Sequence, residues 1–145
     1  MKAASYYASD QNKKICVLNF ASAVTPGGGV LRGTTAQEES ICRISTLYPA
    51  LTDSDTAMPF YEKHNEWIRS GIMSRKNTDD CIYTPGVIMF REDTFDCKIM
   101  PEKEWFSVDV ITCAAPDQRY GTGGIDYHPS EEELLGCFEK RIGMI

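Results

Sequence analysis

Residues 15–48 read ICVLNFASAVTPGGGVLRGTTAQEESICRISTLY, and three local patterns follow one another within them. Residues 15–20 form an uninterrupted β-prone run, which is typical of a strand covered on both faces. The consecutive glycines at 27–29 then break the chain sharply. From Thr35 the apolar residues recur at helical spacing, and Pro49 is expected to end that helix. The stretch therefore predicts a strand, a glycine loop and a helix in succession.

The rest of the chain predicts further helices and strands. Residues 58–70 carry an apolar face that predicts a helix, with His64 packed in that face rather than catalytic. Extended β-prone runs predict more strands, at residues 81–84, 87–91 and 106–112. Residues 117–129 are rich in glycine and predict a loop. This order of elements favours a mixed α/β layered fold.

The last helix is predicted from its first turn. Ser130 and Glu133 form a capping-box pattern, and the apolar residues that follow at helical spacing predict an apolar stripe formed by Leu134, Leu135, Phe138 and Ile142. The sequence ends on apolar Ile145 rather than on a polar tail. Ends of complete domains are usually polar, so we expect the chain to be a fragment.

Length and charge limit the classes of function. The 145 residues predict one domain over residues 1–145, and the net charge of −6 without a basic stripe argues against general DNA or RNA binding. No long apolar run predicts a membrane span or a signal peptide, so we expect a cytoplasmic protein. The six cysteines show no CxxC pair, and we expect neither a metal site nor a disulfide framework.

The glycines and the acidic triplet Gln37-Glu38-Glu39 each allow two interpretations. The glycines let the backbone approach a ligand such as a diphosphate closely, or they form a tight structural turn. No Walker loop is present, because no GK[ST] follows the glycines. The glutamates either offset the helix dipole or contact a ligand. Adjacent carboxylates diverge by about 100° around a helix, so they would touch different oxygens of one ligand.

The combination of these motifs resembles a known family. Gly27-Gly28-Gly29, seven residues and then Gln37-Glu38-Glu39 are similar to the signature of the poly(ADP-ribose) glycohydrolases, and the flanking segments resemble the microbial-type branch. The resemblance implies a macrodomain-like three-layer α/β/α fold with a mixed sheet, incomplete in this chain. It also implies a hydrolase that cleaves ribose–ribose O-glycosidic bonds and releases ADP-ribose, without a metal or other cofactor.

The resemblance further implies roles for single residues. Glu39 would be the catalytic acid/base, Glu38 would bind and orient ribose hydroxyls, and Gln37 would support the loop. Protonation of the leaving oxygen by Glu39 suits an oxocarbenium-like transition state. Because a helix N-terminus lowers a carboxyl pKa, we expect burial, Glu38 and the bound diphosphate to raise the pKa of Glu39. Further ligand-binding candidates near the loop are Gly27, Gly28, Gly29, Val30, Asn19 and Ser22.

Several alternatives stay open from the sequence. Asn19 and Ser22 could hydrogen-bond a ribose or satisfy local backbone groups, and Arg32 could meet a phosphate or remain solvated. Members of the family are longer and carry a second glycine-rich loop that covers the diphosphate. The chain could therefore be a hydrolase, a non-catalytic ADP-ribose-binding module, or a fragment that completes its sheet with another chain. The apolar residues Ile142 and Ile145 motivate self-association.

Overall fold

A computed structural model of the chain describes residues 2–8, 10, 13–72, 77–116 and 129–143. The loop predicted over residues 117–129 and the apolar end at Ile145 lie almost entirely outside the described residues. In chain order the elements are α1 (Lys2–Ala8), β1 (Cys16–Ala21), a 3-10 turn (Val30–Arg32), α2 (Gln37–Ile44), α3 (Leu47–Leu51), α4 (Met58–Arg69), β2 (Cys81–Met89), a second 3-10 turn (Glu102–Glu104), β3 (Phe106–Ala114) and α5 (Glu131–Ile142).

The described strands form one mixed sheet in the order β1-β3-β2. Strand β1 pairs in parallel with β3, from Cys16 opposite Asp109 to Ala21 opposite Ala114. Strand β2 pairs antiparallel with β3 on the other side, from Cys81 opposite Cys113 to Met89 opposite Phe106. The predicted mixed α/β fold is therefore confirmed, with β3 at the centre of the described sheet.

The two faces of the sheet are covered to different extents. One face packs on helices α1 to α4 in a core that includes Leu47, Tyr61 and Val110. Strand residues alternate between faces, so Phe20 of β1 lies on the other face, where it packs against Phe138 of α5 with ring centroids 5.9 Å apart. Helices thus lie on both faces. Phe20 nevertheless remains 41% exposed, so among the described residues that face of β1 is covered only in part.

The helix predicted from Thr35 to Pro49 is two helices. It breaks at Ser45, whose backbone is extended and forms a β-bridge with Met89 of β2. The Ser45 hydroxyl donates to the Ile41 carbonyl oxygen at 2.7 Å and accepts from the Leu47 N–H at 3.1 Å. Pro49 lies inside the first turn of α3, where its missing N–H has no helical partner to lose. The sheet edge therefore interrupts a continuous helical pattern.

Two other elements differ from the sequence predictions. The pieces predicted at 81–84 and 87–91 form one strand that ends at Met89, with an irregularity between Thr84 and Val87, where Gly86 has a φ of 66°. Helix α1 was not predicted. It is seven residues long, and Ala4 is buried in the core, so tertiary packing supports what its local sequence does not signal.

Helix α5 begins as predicted, and its buried residue is Arg141. The Ser130 hydroxyl accepts from the Glu133 N–H at 3.2 Å, and the Glu133 carboxylate accepts from the Ser130 N–H at 2.9 Å, so the capping box is confirmed. The predicted apolar stripe is only partly buried, because Phe138 packs against Phe20 while Leu135 and Ile142 are more than half exposed. Arg141 is buried instead and donates to the Ala114 carbonyl oxygen at 2.5 Å, which ties α5 to the end of β3.

Helix α4 matches its predicted position. It covers Met58–Arg69, and Gly71 follows with a φ of 71°. His64 is fully buried, with Nδ1 2.6 Å from the Phe60 carbonyl oxygen and Nε2 2.7 Å from the Thr78 hydroxyl, which confirms a packing role. No helix in the described part of the chain is long and apolar enough to cross a membrane.

Candidate active site

A cavity of about 420 Å³ lies beyond the carboxyl ends of the parallel strands β1 and β3. Its walls include the residues just after β1, the glycine loop, the first turn of α2 and the residues after β3, namely Ser22, Gly28, Gly29, Glu38, Glu39 and Ala115. Ligands of open α/β sheets bind in crevices at this end of the strands. The topology therefore brings the predicted loop and the predicted glutamates to one place.

The glycine loop needs glycine for its backbone and for its close contacts. Gly27 and Gly28 have φ values of 65° and 58°, in the left-handed region that other residues rarely adopt. A Cβ on Gly28 would lie 2.6 Å from Glu39 Oε1 and 3.0 Å from Glu38 Oε2. A Cβ on Gly27 would lie 2.6 Å from the Tyr48 ring. The glycines therefore form a tight turn, and at that turn the backbone lies close to the glutamates of the cavity.

The loop amides are largely occupied within the protein. The Gly28 N–H donates to the Thr25 carbonyl oxygen at 3.0 Å, and the Gly29 N–H donates to Glu39 Oε1 at 2.8 Å. A Cβ on Gly29 would also collide with the Thr34 hydroxyl. The glycines therefore position the glutamates and add no side chains of their own to the cavity wall.

Glu39 is held by several donors. Its Oε1 accepts from the Gly29 N–H at 2.8 Å and from the Thr34 hydroxyl at 2.9 Å. Burial raises the pKa of Glu39, but the hydrogen bonds from Gly29 and Thr34 and the charge of Arg43 outweigh it, so the pKa is lowered. The upward contribution of burial that was expected is therefore present, but the net shift is downward because the donors at Oε1 and the charge of Arg43 favour the carboxylate.

Glu38 has the opposite electrostatic environment. It is 4% exposed; its Oε2 accepts from the Ser22 N–H at 2.8 Å, and its Oε1 is buried without a hydrogen-bond partner among the described residues. Burial raises the pKa of Glu38 to about 7, with a further upward contribution from the charge of Glu39, and the backbone donors at Ser22 and Gly27 oppose the shift. The two adjacent carboxyls thus differ in protonation near neutral pH.

Stability should depend on pH through Glu38. Between its ordinary pKa of about 4.3 and its folded value, the folded chain holds a proton that the unfolded chain has released, so stability falls as pH rises. We expect this group to lower the free energy of unfolding by about 2–3 kcal/mol between about pH 5 and about pH 8. Urea denaturation across that range should show this slope, and Glu38→Gln should flatten it. An equal slope in wild type and Glu38→Gln would contradict the assignment.

Gln37 contacts a strand rather than the loop that it was expected to support. Its Oε1 accepts from the Phe20 N–H at 2.9 Å, and its Nε2 donates to the Leu18 carbonyl oxygen at 3.1 Å. The amide therefore pairs with β1 along the edge opposite β3, as a neighbouring strand would. This contact fixes the start of α2, and with it both glutamates, relative to the end of β1.

The other predicted ligand-binding residues are placed differently. Asn19 is fully buried and donates to the Thr112 hydroxyl at 3.2 Å, and it does not line the cavity. The Ser22 hydroxyl accepts from the Val24 and Thr25 N–H groups at 3.3 and 3.1 Å, so its side chain satisfies local backbone while its N–H serves Glu38. Val30 packs against the core and lines a smaller adjoining cavity of about 280 Å³.

Arg32 lines both cavities, in keeping with its suggested phosphate contact. Among the described residues no cluster of three or more His, Cys, Asp or Glu side chains could hold a metal ion. That the function requires no metal ion stays a prediction.

Three residues of the site were missed by the sequence interpretation. Thr34 donates to Glu39, and Arg43 donates to the Thr34 carbonyl oxygen at 2.6 Å. Arg43 could have been found, because it follows Glu39 by four residues on one helix face. Asn77, whose side chain donates to the Ala115 carbonyl oxygen at 2.5 Å, lines the cavity from a distant segment and carries no sequence signal.

These features define a class of protein. The chain is a mixed α/β domain with a glycine-lined cavity at the ends of parallel strands, into which two buried glutamates on one helix turn converge. The family described as "Microbial-type PARG, catalytic domain" matches residues 1–92. The chain belongs to this family, and the resemblance inferred from the sequence is confirmed.

Solved structures of bacterial relatives show the same fold. The chain is 32% identical to poly(ADP-ribose) glycohydrolase from Thermomonospora curvata bound to the inhibitor ADP-HPD, with a TM-score of 0.76, over 97% of this chain and 47% of the relative. It is 31% identical to the enzyme from Deinococcus radiodurans in complex with ADP-ribose, with a TM-score of 0.74, over 97% and 50% of the respective chains. The chain thus spans about half the length of these relatives. No curated protein sequence matches it.

Proposed function

We propose that the chain is the glutamate-bearing part of a hydrolase that cleaves the ribose–ribose O-glycosidic bonds of poly(ADP-ribose) and releases ADP-ribose. The observation that carries the proposal is the convergence of Glu38 and Glu39 on Gly28 in the cavity at the strand ends. Glycosidases use carboxyl groups in this way, as proton donor, base or transition-state stabiliser. The complexes of the relatives with ADP-ribose and ADP-HPD support ADP-ribose as the ligand of this cavity.

Glu38 suits a contact with ribose hydroxyls. Its raised pKa leaves the carboxyl partly protonated near neutral pH, so it can donate as well as accept a hydrogen bond. A neutral Glu38 also reduces the repulsion between the site and an anionic diphosphate. The unpartnered Oε1 gives this group hydrogen-bonding capacity beyond its contact with Ser22.

Glu39 suits proton transfer to and from the glycosidic oxygen. As a carboxylate held by Gly29 and Thr34, it has a fixed orientation and can deprotonate an attacking water. Approach of the anionic diphosphate raises the pKa of Glu39, since a neighbouring negative charge favours the neutral carboxyl. The proton required for the acid step is therefore acquired when the substrate binds.

The direct test measures both the release of ADP-ribose from the polymer and the binding of ADP-ribose to the chain. Purified chain is incubated with poly(ADP-ribose), free ADP-ribose is quantified by chromatography, and ADP-ribose affinity is measured by calorimetry. Release of ADP-ribose supports the hydrolase. Binding without release favours a non-catalytic ADP-ribose-binding module. Neither binding nor release by a folded chain would overturn the proposed function.

A fragment that associates with another chain is a second candidate. Leu135 and Ile142 of α5 are 54% and 59% exposed, and Phe20 and Tyr83 are exposed on the same sheet. Apolar surface of this kind favours association. Light scattering that shows a well-folded monomer at high concentration would contradict this candidate.

The proposed compartment is the cytoplasm, where thiols stay reduced. The six cysteines have no disulfide partner, which supports this assignment. The net charge of −6 supports the proposal that the chain does not bind DNA or RNA generally.

A further inference from the structure

Cys81 and Cys113 lie directly opposite each other on neighbouring antiparallel strands. They are Cα partners in the register of β2 and β3, at the first residue of β2 and next to the last residue of β3. Directly opposed residues of antiparallel strands have Cα atoms about 4.5 or 5.5 Å apart, and both values fall within the range that a disulfide spans. Their side chains also point to the same face of the sheet. Nothing in their sequence spacing signals this pairing.

We propose that Cys81 and Cys113 form a peroxide-sensitive dithiol that closes a reversible cross-strand disulfide beside the candidate active site. The inference does not depend on the proposed hydrolase activity. It rests on the strand register, on the exposure of Cys81 and the burial of Cys113, and on the position of both residues at strand ends.

The exposed thiol is the one that a peroxide reaches first. Cys81 attacks one oxygen of hydrogen peroxide, which gives a sulfenic acid and releases one water. The Cys113 thiol then attacks the Cys81 sulfur, the sulfur–sulfur bond forms and the second water leaves. In total two thiols lose two electrons and two protons, and one peroxide is reduced to two waters.

The surroundings of Cys113 support its part in the second step. Burial raises the pKa of the Cys113 thiol and protects it from direct oxidation, while the nearby Arg141 guanidinium acts in the opposite direction. Arg141 is held there by its hydrogen bonds to the Ala114 carbonyl oxygen and to Asp79. The buried Cys113 thiol lies directly across from the exposed Cys81, so it is placed to resolve a sulfenic acid on its neighbour.

The disulfide would lie beside the place where two walls of the cavity meet. Asn77, four residues before Cys81, and Ala115, two residues after Cys113, both line the cavity and are already linked by the hydrogen bond from Asn77 to the Ala115 carbonyl oxygen. A covalent bridge would reinforce the same junction. Because one of its cysteines is exposed, the bridge is expected to be reducible, as labile and regulatory disulfides are.

The test oxidises the folded chain with dilute hydrogen peroxide and then determines its mass and its linked peptides. We expect a mass loss of about 2 Da, the two hydrogens given up by a dithiol, and one crosslinked peptide pair containing Cys81 and Cys113. Dithiothreitol should restore the original mass. The oxidised chain should unfold at a temperature about 5–10 °C higher, because the bridge closes a loop within the unfolded chain.

Two serine variants provide the control. Cys81→Ser replaces an exposed side chain, so the protein should still fold. Peroxide should no longer lower its mass by about 2 Da, because one of the two thiols is missing. Cys16→Ser replaces another exposed cysteine on the same sheet face, opposite Asp109, and should keep that change. Sulfinic acid at Cys81 with Cys113 still a free thiol, or a disulfide mapped to another pair, would overturn the proposal.

Discussion

Replacing Glu39 with Gln is expected to reduce the rate of ADP-ribose release from poly(ADP-ribose) by about a thousandfold, the size of effect typical of a lost general acid/base. The amide keeps an oxygen that can accept from the Gly29 N–H and the Thr34 hydroxyl, so the loop should stay in place. Stability should therefore change by no more than about 1 kcal/mol, close to the net value of one hydrogen bond. The loss of rate should appear in kcat, with ADP-ribose affinity largely retained.

The control for Glu39→Gln is a variant that removes the charge of a glutamate outside the cavity. Glu62 is exposed on α4, and Glu62→Gln should leave the rate of release unchanged. Release and affinity are measured by chromatography and calorimetry on both variants. If Glu39→Gln releases ADP-ribose at a rate within about tenfold of the wild type, Glu39 is not the proton-transfer group.

Alanine at Gly28 is expected to weaken ADP-ribose binding by at least about tenfold, which is about 1.4 kcal/mol, and to destabilise the fold as well. The new methyl group would lie 2.6 Å from Glu39 Oε1 and 3.0 Å from Glu38 Oε2, so at least one carboxylate must move. The φ of 58° adds backbone strain. Together these effects should lower the free energy of unfolding by about 2–3 kcal/mol.

Gly33 offers a matched control for Gly28. Its φ of 77° imposes a similar backbone penalty, but a Cβ there would meet nothing within 4 Å. Gly33→Ala should therefore destabilise the fold by about 1–2 kcal/mol and leave ADP-ribose affinity unchanged. Urea denaturation measures the loss of stability in both variants, and calorimetry measures their ADP-ribose affinity. Comparing the two variants separates the backbone strain that they share from the Cβ collision that only Gly28→Ala introduces. Equal losses of affinity in both would show that the contact between Gly28 and the glutamates is unimportant for binding.

The sequence was most informative where a local rule decides the structure. The strand that starts near Ile15, helix α4 and the capping box at Ser130 are observed close to their predicted positions. Each depends on residues near one another in the chain, through β-propensity, helical spacing or a single side-chain hydrogen bond. The glycines and the acidic triplet were likewise recognisable because their spacing is local.

The errors arose where distant segments compete with local preference. The helical pattern that continues past Ile44 breaks at Ser45 because the edge of β2 offers a β-bridge to that residue. The apolar side chains of α5 are only partly buried, and its buried residue is Arg141, which is tied to the end of β3. Neither effect can be seen within a window of neighbouring residues.

By itself, the sequence determined that a glycine loop and two glutamates follow a strand, and this was sufficient to identify the family. The tertiary structure alone decided how the glutamates differ. Burial raises the pKa of Glu38 although the Ser22 N–H donates to it, whereas donors from Gly29 and Thr34 lower the pKa of Glu39. The physical reason is that burial and hydrogen-bond donors are properties of the folded environment, so neighbours with the same side chain acquire different chemistry.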